Sequence, residues 1–414
     1  MPHPRTVQLD VLVIGGGVAG LWALNRLADA GFAVALVEQD RLGSGQTIAS
    51  QGMIHGGIKY ALGGTLTRAS EAIAAMPDRW RACVAGRGEI DLSAARRLSD
   101  DYWMWSNGGV DARLSSLFAS KLLRGRVERV AASERPPFFA DPAFRGQLYR
   151  LADFVFDTPS LLRTLAAPHL ALQLQVDAVA QRLSRRGDRF RLATDEQILD
   201  ADRIVLTAGA GNGALLQALG ADQPTMQLRP LHQVCIELDH PHPVHAHCIT
   251  GIRRPEPRMT VTSHPRRAPA EHEGAAETAA PVCPDWTWYL GGAIATDGVE
   301  RTRDAQIDFA RSELAELTPW VDLSRAHFST LRIDRAEPLQ PRGGRPDEAF
   351  VHERGGVITA WPTKLSLAPH LGDRVLALLG SPDAGSAVRA AALREALVGA
   401  RRPGVAPGFE TLAA

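Results

Sequence analysis

Lysine is nearly absent from this 414-residue sequence: only Lys59, Lys121 and Lys364 occur among its 46 Lys and Arg residues. The acidic residues also number 46, so the formal net charge is zero. The chain therefore lacks the basic excess typical of proteins that bind nucleic acids or anionic membranes. It also lacks any run of about 18 apolar residues, which excludes a predicted transmembrane helix but is compatible with peripheral membrane contact.

Cysteine is scarce as well, and its spacing is uninformative for metal or redox motifs. Cys83, Cys235, Cys248 and Cys283 form no CxxC pair, which argues against a disulfide scaffold in a chain of this length. The first ten residues contain no apolar segment of the kind found in signal peptides. We therefore expect a cytoplasmic protein of two or three domains, an expectation that 45% hydrophobic and 22% charged residues support.

The first forty residues, in contrast, carry a complete pattern. Residues 10–15 predict a buried parallel strand, residues 21–30 an amphipathic helix, and residues 33–37 a second strand that ends at Glu38. Between the first strand and the helix lie Gly15, Gly17 and Gly20, with Val18 and Ala19 inside the run. Together these parts predict a βαβ unit that binds a dinucleotide.

Each of these residue types has a physical role in binding a dinucleotide. Gly15 permits a tight turn, Gly17 lets the backbone approach a pyrophosphate, and Gly20 lets the helix pack closely on the strand. The helix N-terminus offers N–H groups and a positive dipole end to the phosphates. Glu38 follows Gly20 by 18 residues, where a carboxylate accepts hydrogen bonds from the ribose hydroxyls. A Rossmann-like fold that has lost its nucleotide is the alternative.

The segment after Glu38 favours FAD over NAD. Residues 43–60, which read GSGQTIASQGMIHGGIKY, form a long stretch rich in glycine and small polar residues. A nicotinamide dehydrogenase usually continues from the acidic residue into another helix, whereas a long loop with spaced donors can follow a larger cofactor.

At this point the chain resembles the glycine oxidase / D-amino-acid oxidase superfamily of FAD enzymes. Residues 50–60 most resemble FAD-dependent glycerol-3-phosphate dehydrogenases, which carry a similar Ile/Val-His-Gly-Gly-Leu/Ile-Arg-Tyr segment beside the flavin. The strand at residues 203–211 resembles the second cofactor motif of the superfamily, and residues 356–368 resemble its closing strand, loop and helix. In the last loop, Trp361-Pro-Thr-Lys364 stands where the glycerol-phosphate enzymes have Gly-Gly-Lys-x-Thr.

The resemblance implies an α/β (α+β overall) fold, in which a Rossmann-like FAD-binding domain is interleaved with a mostly antiparallel-sheet substrate domain. We expect the FAD-binding domain at 8–76, 145–225 and 330–400, the substrate domain at 77–144 and 226–329, and a tail at 401–414. The expected cofactor-binding residues are Gly15, Gly17, Val18, Ala19, Gly20, Glu38, Gln39, Ser44, Thr47, Ser50, Gln51, Gly52, Val176, Ala208, Gly209, Lys364, Leu365 and Ser366.

The resemblance also implies the chemistry, which is hydride transfer from a substrate carbon bearing OH or NH2 to flavin N5. His55 or His232 would take the substrate proton, although His232 is equally well an ordinary residue at a strand edge. Arg332, with Arg335 in reserve, would hold the substrate anion. Lys59 and Tyr60 would assist the arginine, and Lys364 would stabilise negative charge on the reduced flavin.

Other features favour structural interpretations. His240, His242, His245, His247 and Cys248 have no standard zinc spacing, so we expect a solvated hairpin turn and no metal site. Residues 265–284 are rich in Ala, Glu and Pro, which is typical of a surface insertion. Trp286, Trp288 and Tyr289 are typical of a strand that contributes to a core.

The sequence leaves several functions open. The best supported is glycerol-3-phosphate-dehydrogenase-like oxidation of a small anionic substrate, with a quinone or dioxygen as electron acceptor. A 2-hydroxy-acid dehydrogenase and an amino-acid or amine oxidase are alternatives within the same superfamily. A non-catalytic FAD-binding partner protein would bind FAD without any substrate that reduces it, and an NAD-dependent dehydrogenase would be colourless.

Overall fold

The fold begins with the predicted βαβ unit. In a computed structural model of the chain, which describes residues 5–57, 73–106, 127–249, 256–266, 285–341, 346 and 348–408, strand β1 (Arg5–Ile14) leads into helix α1 (Val18–Asp29). Strand β2 (Val34–Glu38) then pairs with β1 in parallel. The apolar face of α1 is buried on the sheet, because leucines recur at helical spacing along it.

The remaining elements are given in chain order. The strands are β3 (Met53–Ile54), β4 (Arg97–Ser99), β5 (Tyr102–Ser106), β6 (Val127–Arg129), β7 (Gln147–Leu151), β8 (Phe154–Phe156), β9 (Gln173–Gln175), β10 (Leu183–Arg186), β11 (Arg189–Ala193), β12 (Gln197–Leu206), β13 (Met226–Asp239), β14 (His245–Ile249), β15 (Met259–Pro265), β16 (Asp285–Gly291), β17 (His327–Pro338), β18 (Phe350–Arg354) and β19 (Val357–Trp361). The described α-helices are α2 (Met76–Val84), α3 (Thr158–Ala166), α4 (Val179–Arg182), α5 (Asn212–Ala218), α6 (Ala293–Thr296), α7 (Arg303–Leu317), α8 (Ala368–Leu379) and α9 (Ser386–Ala396). None of them is long and apolar enough to cross a membrane.

The first sheet holds the βαβ unit at its centre. Its order is β10-β11-β12-β1-β2-β9, and the hairpin of β18 and β19 joins through β12. Strands β12, β1, β2, β9 and β19 run parallel, so their carboxyl ends meet at one edge. Its strands come from three separate stretches of the chain, which is the interleaved Rossmann-like arrangement that the resemblance implied.

The second sheet is mostly antiparallel, as expected. Its order is β17-β13-β16-β15-β14-β5-β7-β6, with only the β14–β5 pair parallel. Strands β13 and β17 are paired over almost their whole length, with His232 opposite Arg332. One face of this sheet packs on α7, where Ala310 and Leu314 are fully buried near Trp288. A small third sheet, β3-β8-β4, lies beside the second.

Two predictions about elements were wrong in detail. The pattern of residues 172–183 predicts one strand, but Ala178 adopts a left-handed backbone with φ of 53° between β9 and α4 and interrupts it. The pattern of residues 147–157 predicts a strand pair; two strands form there, but β7 and β8 belong to different sheets. The limits of the two domains remain a prediction, since the sheets alone do not define them.

Candidate functional site

The glycine turn between β1 and α1 has the tight packing that its sequence predicts. Gly15 has φ of 108°, and a Cβ there would come within 2.6 Å of the Ala208 backbone. A Cβ on Gly20 would lie 1.9 Å from the carbonyl oxygen of Gly15. No side chain caps α1 at Gly17, and the Val18 N–H donates to Thr47 Oγ1 at 3.1 Å. The helix therefore begins directly against the open space above the turn.

That open space is a cavity of about 720 Å³ at the carboxyl ends of β1, β2 and β12, which we call the first cavity. Its size is within the range of pockets for organic ligands. Ten of the predicted cofactor-binding residues line it: Gly15, Gly17, Val18, Ala19, Glu38, Gln39, Ser44, Thr47, Ala208 and Gly209. The glycine cradle, the helix N-terminus and the carboxylate at the end of β2 together suit a dinucleotide.

Glu38 is fixed by backbone donors at the end of β2. Its Oε2 accepts from the Gly16 N–H at 2.7 Å, and its Oε1 accepts from the Gln39 and Asp40 N–H groups at 2.8 and 3.0 Å. A carboxylate has about four lone-pair sites, so Oε2 retains capacity for a ribose hydroxyl. The turn itself thus orients the acidic residue toward the cavity.

The second predicted cofactor motif closes the same cavity from β12. The Thr207 hydroxyl donates toward the carbonyl oxygens of Ile14 and Gly15, each at 3.0 Å. The Ala208 N–H donates to Asn212 Oδ1 at 2.8 Å, and Trp361 Nε1 donates to the Gly209 carbonyl at 3.0 Å. These bonds tie the ends of β12 and β19 to the glycine turn. They give Gly209, with φ of 58°, its place on the cavity wall.

The end of the long loop anchors the two large sheets to each other. Gln51 Nε2 donates to the Tyr289 carbonyl at 2.8 Å on the second sheet. Gly52 has φ of 68°, and a Cβ there would lie 2.1 Å from the Phe156 carbonyl. Ser50, Gln51 and Gly52 lie outside the first cavity, and Gln51 lines a second one. We attribute an anchoring role to this part of the loop.

The second cavity is small, about 170 Å³, and lies between the loop at residues 51–57 and the second sheet. Its polar lining comprises Gln51, His55, Asp153, Gln233, His247, Glu256, Thr260, Thr296 and Arg335. His247 Nδ1 lies 2.8 Å from Thr260 Oγ1, and the ring of Tyr102 packs 4.7 Å from that of His247. The cavity thus combines a guanidinium, two imidazoles and two carboxyl groups in a small volume.

Arg335 lines this cavity, whereas His232 and Arg332 do not. Because side chains alternate along a strand, Leu231 and Gln233 line the second cavity and His232 points to the other face. There His232 Nδ1 lies 3.0 Å from the Gly298 carbonyl. Burial lowers the pKa of His232, and the nearby Arg332 adds to that effect.

Arg332 is directly opposite His232 and shares that face. The Arg332 guanidinium donates to the carbonyls of Val299 and Arg301 at 2.7 and 2.6 Å. Arg332 also lines the first cavity. The roles of His232 as catalytic base and of Arg332 as anion anchor stay predictions, although neither side chain lines the second cavity.

The remaining predicted site residues have varied positions. Lys364 is buried and precedes a 3-10 turn at Leu365–Leu367. In this turn Ser366 Oγ accepts from the backbone N–H of His55 at 3.4 Å. Neither cavity is lined by Lys364, Leu365 or Ser366. Gly20 and Val176 do not line the first cavity either. The Val176 N–H donates to the Glu38 carbonyl at 3.0 Å. Lys59 and Tyr60 lie outside the described residues.

The histidine-rich segment is a strand where the sequence predicted a turn. His245, His247 and Cys248 belong to β14, and His245 is fully buried, while only His240 and His242 lie in the connection before it. Over the described part of the chain, no three His, Cys, Asp or Glu residues are placed to hold a metal ion. Trp288 and Tyr289 are buried in the core, as predicted, and residues 267–284 of the expected insertion lie outside the described ranges.

Sequence reasoning missed Asp153, Gln233, His247 and Thr260 as cavity residues. Strand alternation would have grouped Gln233 with Leu231, but only the pairing register shows which face meets the loop. Asp153 differs from the others because it is a buried acid: burial raises its pKa to about 7, against the opposing effects of the Gly56 N–H and of Arg81.

Comparison with known proteins agrees with this geometry. A family model described as "FAD dependent oxidoreductase" matches residues 10–363. The chain is 48% identical over 382 residues to "Probable FAD-dependent oxidoreductase PA4991" from Pseudomonas aeruginosa, covering 91% of this chain and 92% of that protein. The crystal structure of PA4991 superposes with a TM-score of 0.78 at 40% identity and covers 99% of both chains.

Two further matches bear on the resemblance. Glycine oxidase from Geobacillus kaustophilus shares the fold, with a TM-score of 0.62 at 18% identity over 91% of this chain and 96% of that one. The mitochondrial glycerol-3-phosphate dehydrogenase of Saccharomyces cerevisiae is 46% identical over only 56 residues, which are 14% of this chain and 9% of that enzyme. With its fingerprint, its cavity and these relatives, the chain belongs to the family of FAD-dependent oxidoreductases and takes FAD as its cofactor.

Proposed function

We propose that this FAD-dependent oxidoreductase oxidises a small anionic substrate at a carbon that bears a hydroxyl or an amino group. The observation that carries the proposal is the second cavity, which both Arg335 and His55 line. Its volume of about 170 Å³ is below the usual range for drug-sized ligands and suits a small substrate. FAD, when bound, supplies the chemistry of accepting a hydride at N5. The protein supplies binding, orientation and charge.

Arg335 is the residue we propose as the anion anchor. A planar guanidinium suits a carboxylate or a phosphate, because it can donate two parallel hydrogen bonds. Arg229, its cross-strand neighbour, is engaged by the buried Glu337, with Arg229 Nη2 2.7 Å from Glu337 Oε1. The positive charge of Arg229 is thereby compensated within the sheet. Arg335 borders the cavity, and its Nε donates to the Arg229 carbonyl at 3.4 Å.

His55 lines the same cavity, and its proposed role is to hydrogen-bond the hydroxyl or amino group that loses its proton. The segment that carries it is held at both ends. Gly52 accepts from the Phe156 N–H at 2.9 Å, and the Gly56 N–H donates to Asp153 at 2.8 Å. Such anchoring favours a fixed orientation between the imidazole and the substrate.

Within this proposal, polyol phosphates, 2-hydroxy acids and amino acids are the substrate classes to compare. The motif around His55 favours a glycerol-3-phosphate-like reaction, whereas the changed loop before Lys364 argues against an identical phosphate site. The electron acceptor, a quinone or dioxygen, and a cytoplasmic location remain predictions.

The test is anaerobic visible spectroscopy of the FAD-loaded protein. Glycerol 3-phosphate, lactate, glycine and proline are added separately, and the oxidised flavin band is followed. We expect one of these classes to bleach the band, and Arg335→Gln to slow that bleaching. A band that none of them changes would contradict oxidation of a small anionic substrate of these classes.

A further inference from the structure

Asp153 is a buried carboxyl group that the proposed function leaves without a role. It lies in the short connection where the chain leaves β7 in the second sheet for β8 in the third. Only 4% of the residue is exposed, and it lines the second cavity together with His55 and Arg335. Its Oδ1 accepts from the Gly56 N–H at 2.8 Å.

The described surroundings of Asp153 provide little compensation for a negative charge. Among these residues Arg81 is the cation that acts on it, but the Arg81 guanidinium donates to the Ala152 and Asp100 carbonyls at 2.6 and 3.3 Å. Within the described ranges Asp153 forms no ion pair. Asp157, equally buried four residues later, differs in this respect, because Arg96 lies 3.3 Å from its carboxylate.

Such an environment favours a proton on Asp153 at a pH where most carboxyl groups are ionised. Burial raises its pKa to about 7, and the Gly56 N–H and Arg81 only partly oppose this. Tyr102 from β5 faces it as a buried neutral phenol that donates to the Ala246 carbonyl at 3.2 Å. The other titratable groups on the cavity wall are His55, His247, Glu256 and Arg335.

A group that exchanges its proton near neutral pH and faces a substrate cavity is suited to general acid–base catalysis. We propose that Asp153 is the proton acceptor of this site, receiving the proton of the substrate hydroxyl or amino group while His55 and Arg335 hold the substrate. This inference rests on the proposed function.

The step balances in atoms and charge. The substrate O–H or N–H bond breaks and an O–H bond forms on the Asp153 carboxylate. The electron pair of the adjacent C–H bond would leave with its hydrogen as hydride, for which FAD would be the acceptor, and a C=O or C=N bond would result. Asp153 afterwards returns its proton to water.

The first test needs no substrate and uses Asp153→Asn, which keeps an oxygen acceptor for the Gly56 N–H. The melting temperature of the FAD-loaded protein is measured from pH 4 to 9. In the native wild type the Asp153 carboxyl group keeps its proton up to a pH of about 7, whereas in the unfolded chain it releases the proton near pH 3.8. Stability of the wild type therefore falls relative to Asp153→Asn as the pH rises between these values. Parallel pH curves for the two proteins would overturn the assignment.

Asp157→Asn is the matched control, because it removes an equally buried carboxylate that has an ionic partner. We expect this variant to be less stable than the wild type across the range, with no relative gain toward high pH. If it gains stability in the same way as Asp153→Asn, the effect is not specific to Asp153 and the assignment fails.

The second test follows flavin reduction by the compound that bleaches the wild type. We expect the wild-type rate to fall below pH 7, and Asp153→Asn to be slower by about 100-fold and to lack this dependence. Asp153→Glu should restore part of the pH dependence. An Asp153→Asn rate equal to that of the wild type would overturn the catalytic role, whereas a wild type that no compound reduces would refute the proposed function and leave the stability test standing.

Discussion

At the scale of single residues, Glu38 shows how the backbone prepares a binding group before any ligand is present. Three N–H groups orient its carboxylate at the end of β2, and one of them belongs to the glycine turn itself. A fixed anionic acceptor loses little entropy when it binds a ribose, so its contribution to FAD affinity should be large for one residue.

We therefore predict that Glu38→Gln weakens FAD binding by about tenfold or more, because charge-assisted hydrogen bonds contribute roughly 1.5–3 kcal/mol. Equilibrium dialysis of FAD measures this change. The exposed neighbour Asp40, substituted by Asn, should bind FAD as the wild type does. Unchanged FAD affinity in Glu38→Gln would refute the ribose role.

His245 should make the protein sensitive to acid. Its imidazole is fully buried in β14, and burial, reinforced by His264, lowers its pKa to about 3. Because the unfolded chain binds this proton below about 6.5 and the native state does not, stability is lost as the pH falls from 6.5 toward 3. The loss is about 1.4 kcal/mol per pH unit over that window.

We predict that His245→Phe flattens this part of the stability curve, measured by urea unfolding between pH 7 and 4. The exposed His327 gives the control, since His327→Phe should retain the acid sensitivity of the wild type. Equal loss of stability in acid for His245→Phe and the wild type would show that His245 is not its source.

Single residues also show what the sequence could and could not predict. Gly15, Gly20 and Glu38 were predictable, because their roles depend on a local turn whose geometry follows from the spacing. The choice between Arg332 and Arg335 could not be made from the sequence, because it depends on how β17 pairs with β13 and on what covers each face of the sheet.

At the scale of elements, the close packing of α1 on β1 is the feature that makes the cofactor site. The helix can begin at the cavity only because nothing larger than hydrogen is present at Gly20, where a Cβ would approach the Gly15 carbonyl oxygen to 1.9 Å. A displaced α1 would move its N-terminal N–H groups away from the phosphates.

We predict that Gly20→Ala lowers stability by roughly 1–3 kcal/mol and releases FAD, because the helix must shift to admit the methyl group. The matched control is Gly404→Ala, where a Cβ would have no atom within 4 Å and which lines neither cavity. Thermal melting and the flavin-to-protein absorbance ratio report both effects. A Gly20→Ala variant with the stability and the flavin content of Gly404→Ala would refute the role of close packing at Gly20.

Elements with strong periodicity were predicted well, and those with a local irregularity were not. The two strands of the βαβ unit form as predicted. The alternation of residues 226–239 likewise predicts a strand and the helical spacing of residues 301–317 a helix, and these residues form β13 and α7. The strand expected at 172–183 is interrupted at Ala178, whose left-handed conformation no residue type signals. The pairing of β7 and β8 with different sheets was likewise invisible from their own sequences.

At the scale of the whole molecule, the two large sheets meet across the loop that follows Glu38. The first sheet lines the first cavity, and the second sheet contributes Arg335 and His247 to the second cavity. Gln51 hydrogen-bonds the loop to the second sheet. The overall arrangement was predictable only through resemblance to a known superfamily, since the strands of each sheet are far apart in sequence. The family is established, while the substrate depends on a few side chains at this junction.

The most direct test of the account is an anion titration of the FAD-loaded protein, monitored by the visible spectrum of the flavin. Acetate and inorganic phosphate are the probes, and Arg335→Gln is compared with Arg332→Gln, whose wild-type guanidinium is engaged by two backbone carbonyls. We predict a saturable spectral change in the wild type, at least about tenfold weaker binding in Arg335→Gln, and nearly unchanged binding in Arg332→Gln. Wild-type affinity in Arg335→Gln, or its loss in Arg332→Gln alone, would contradict the placement of the substrate anion at Arg335.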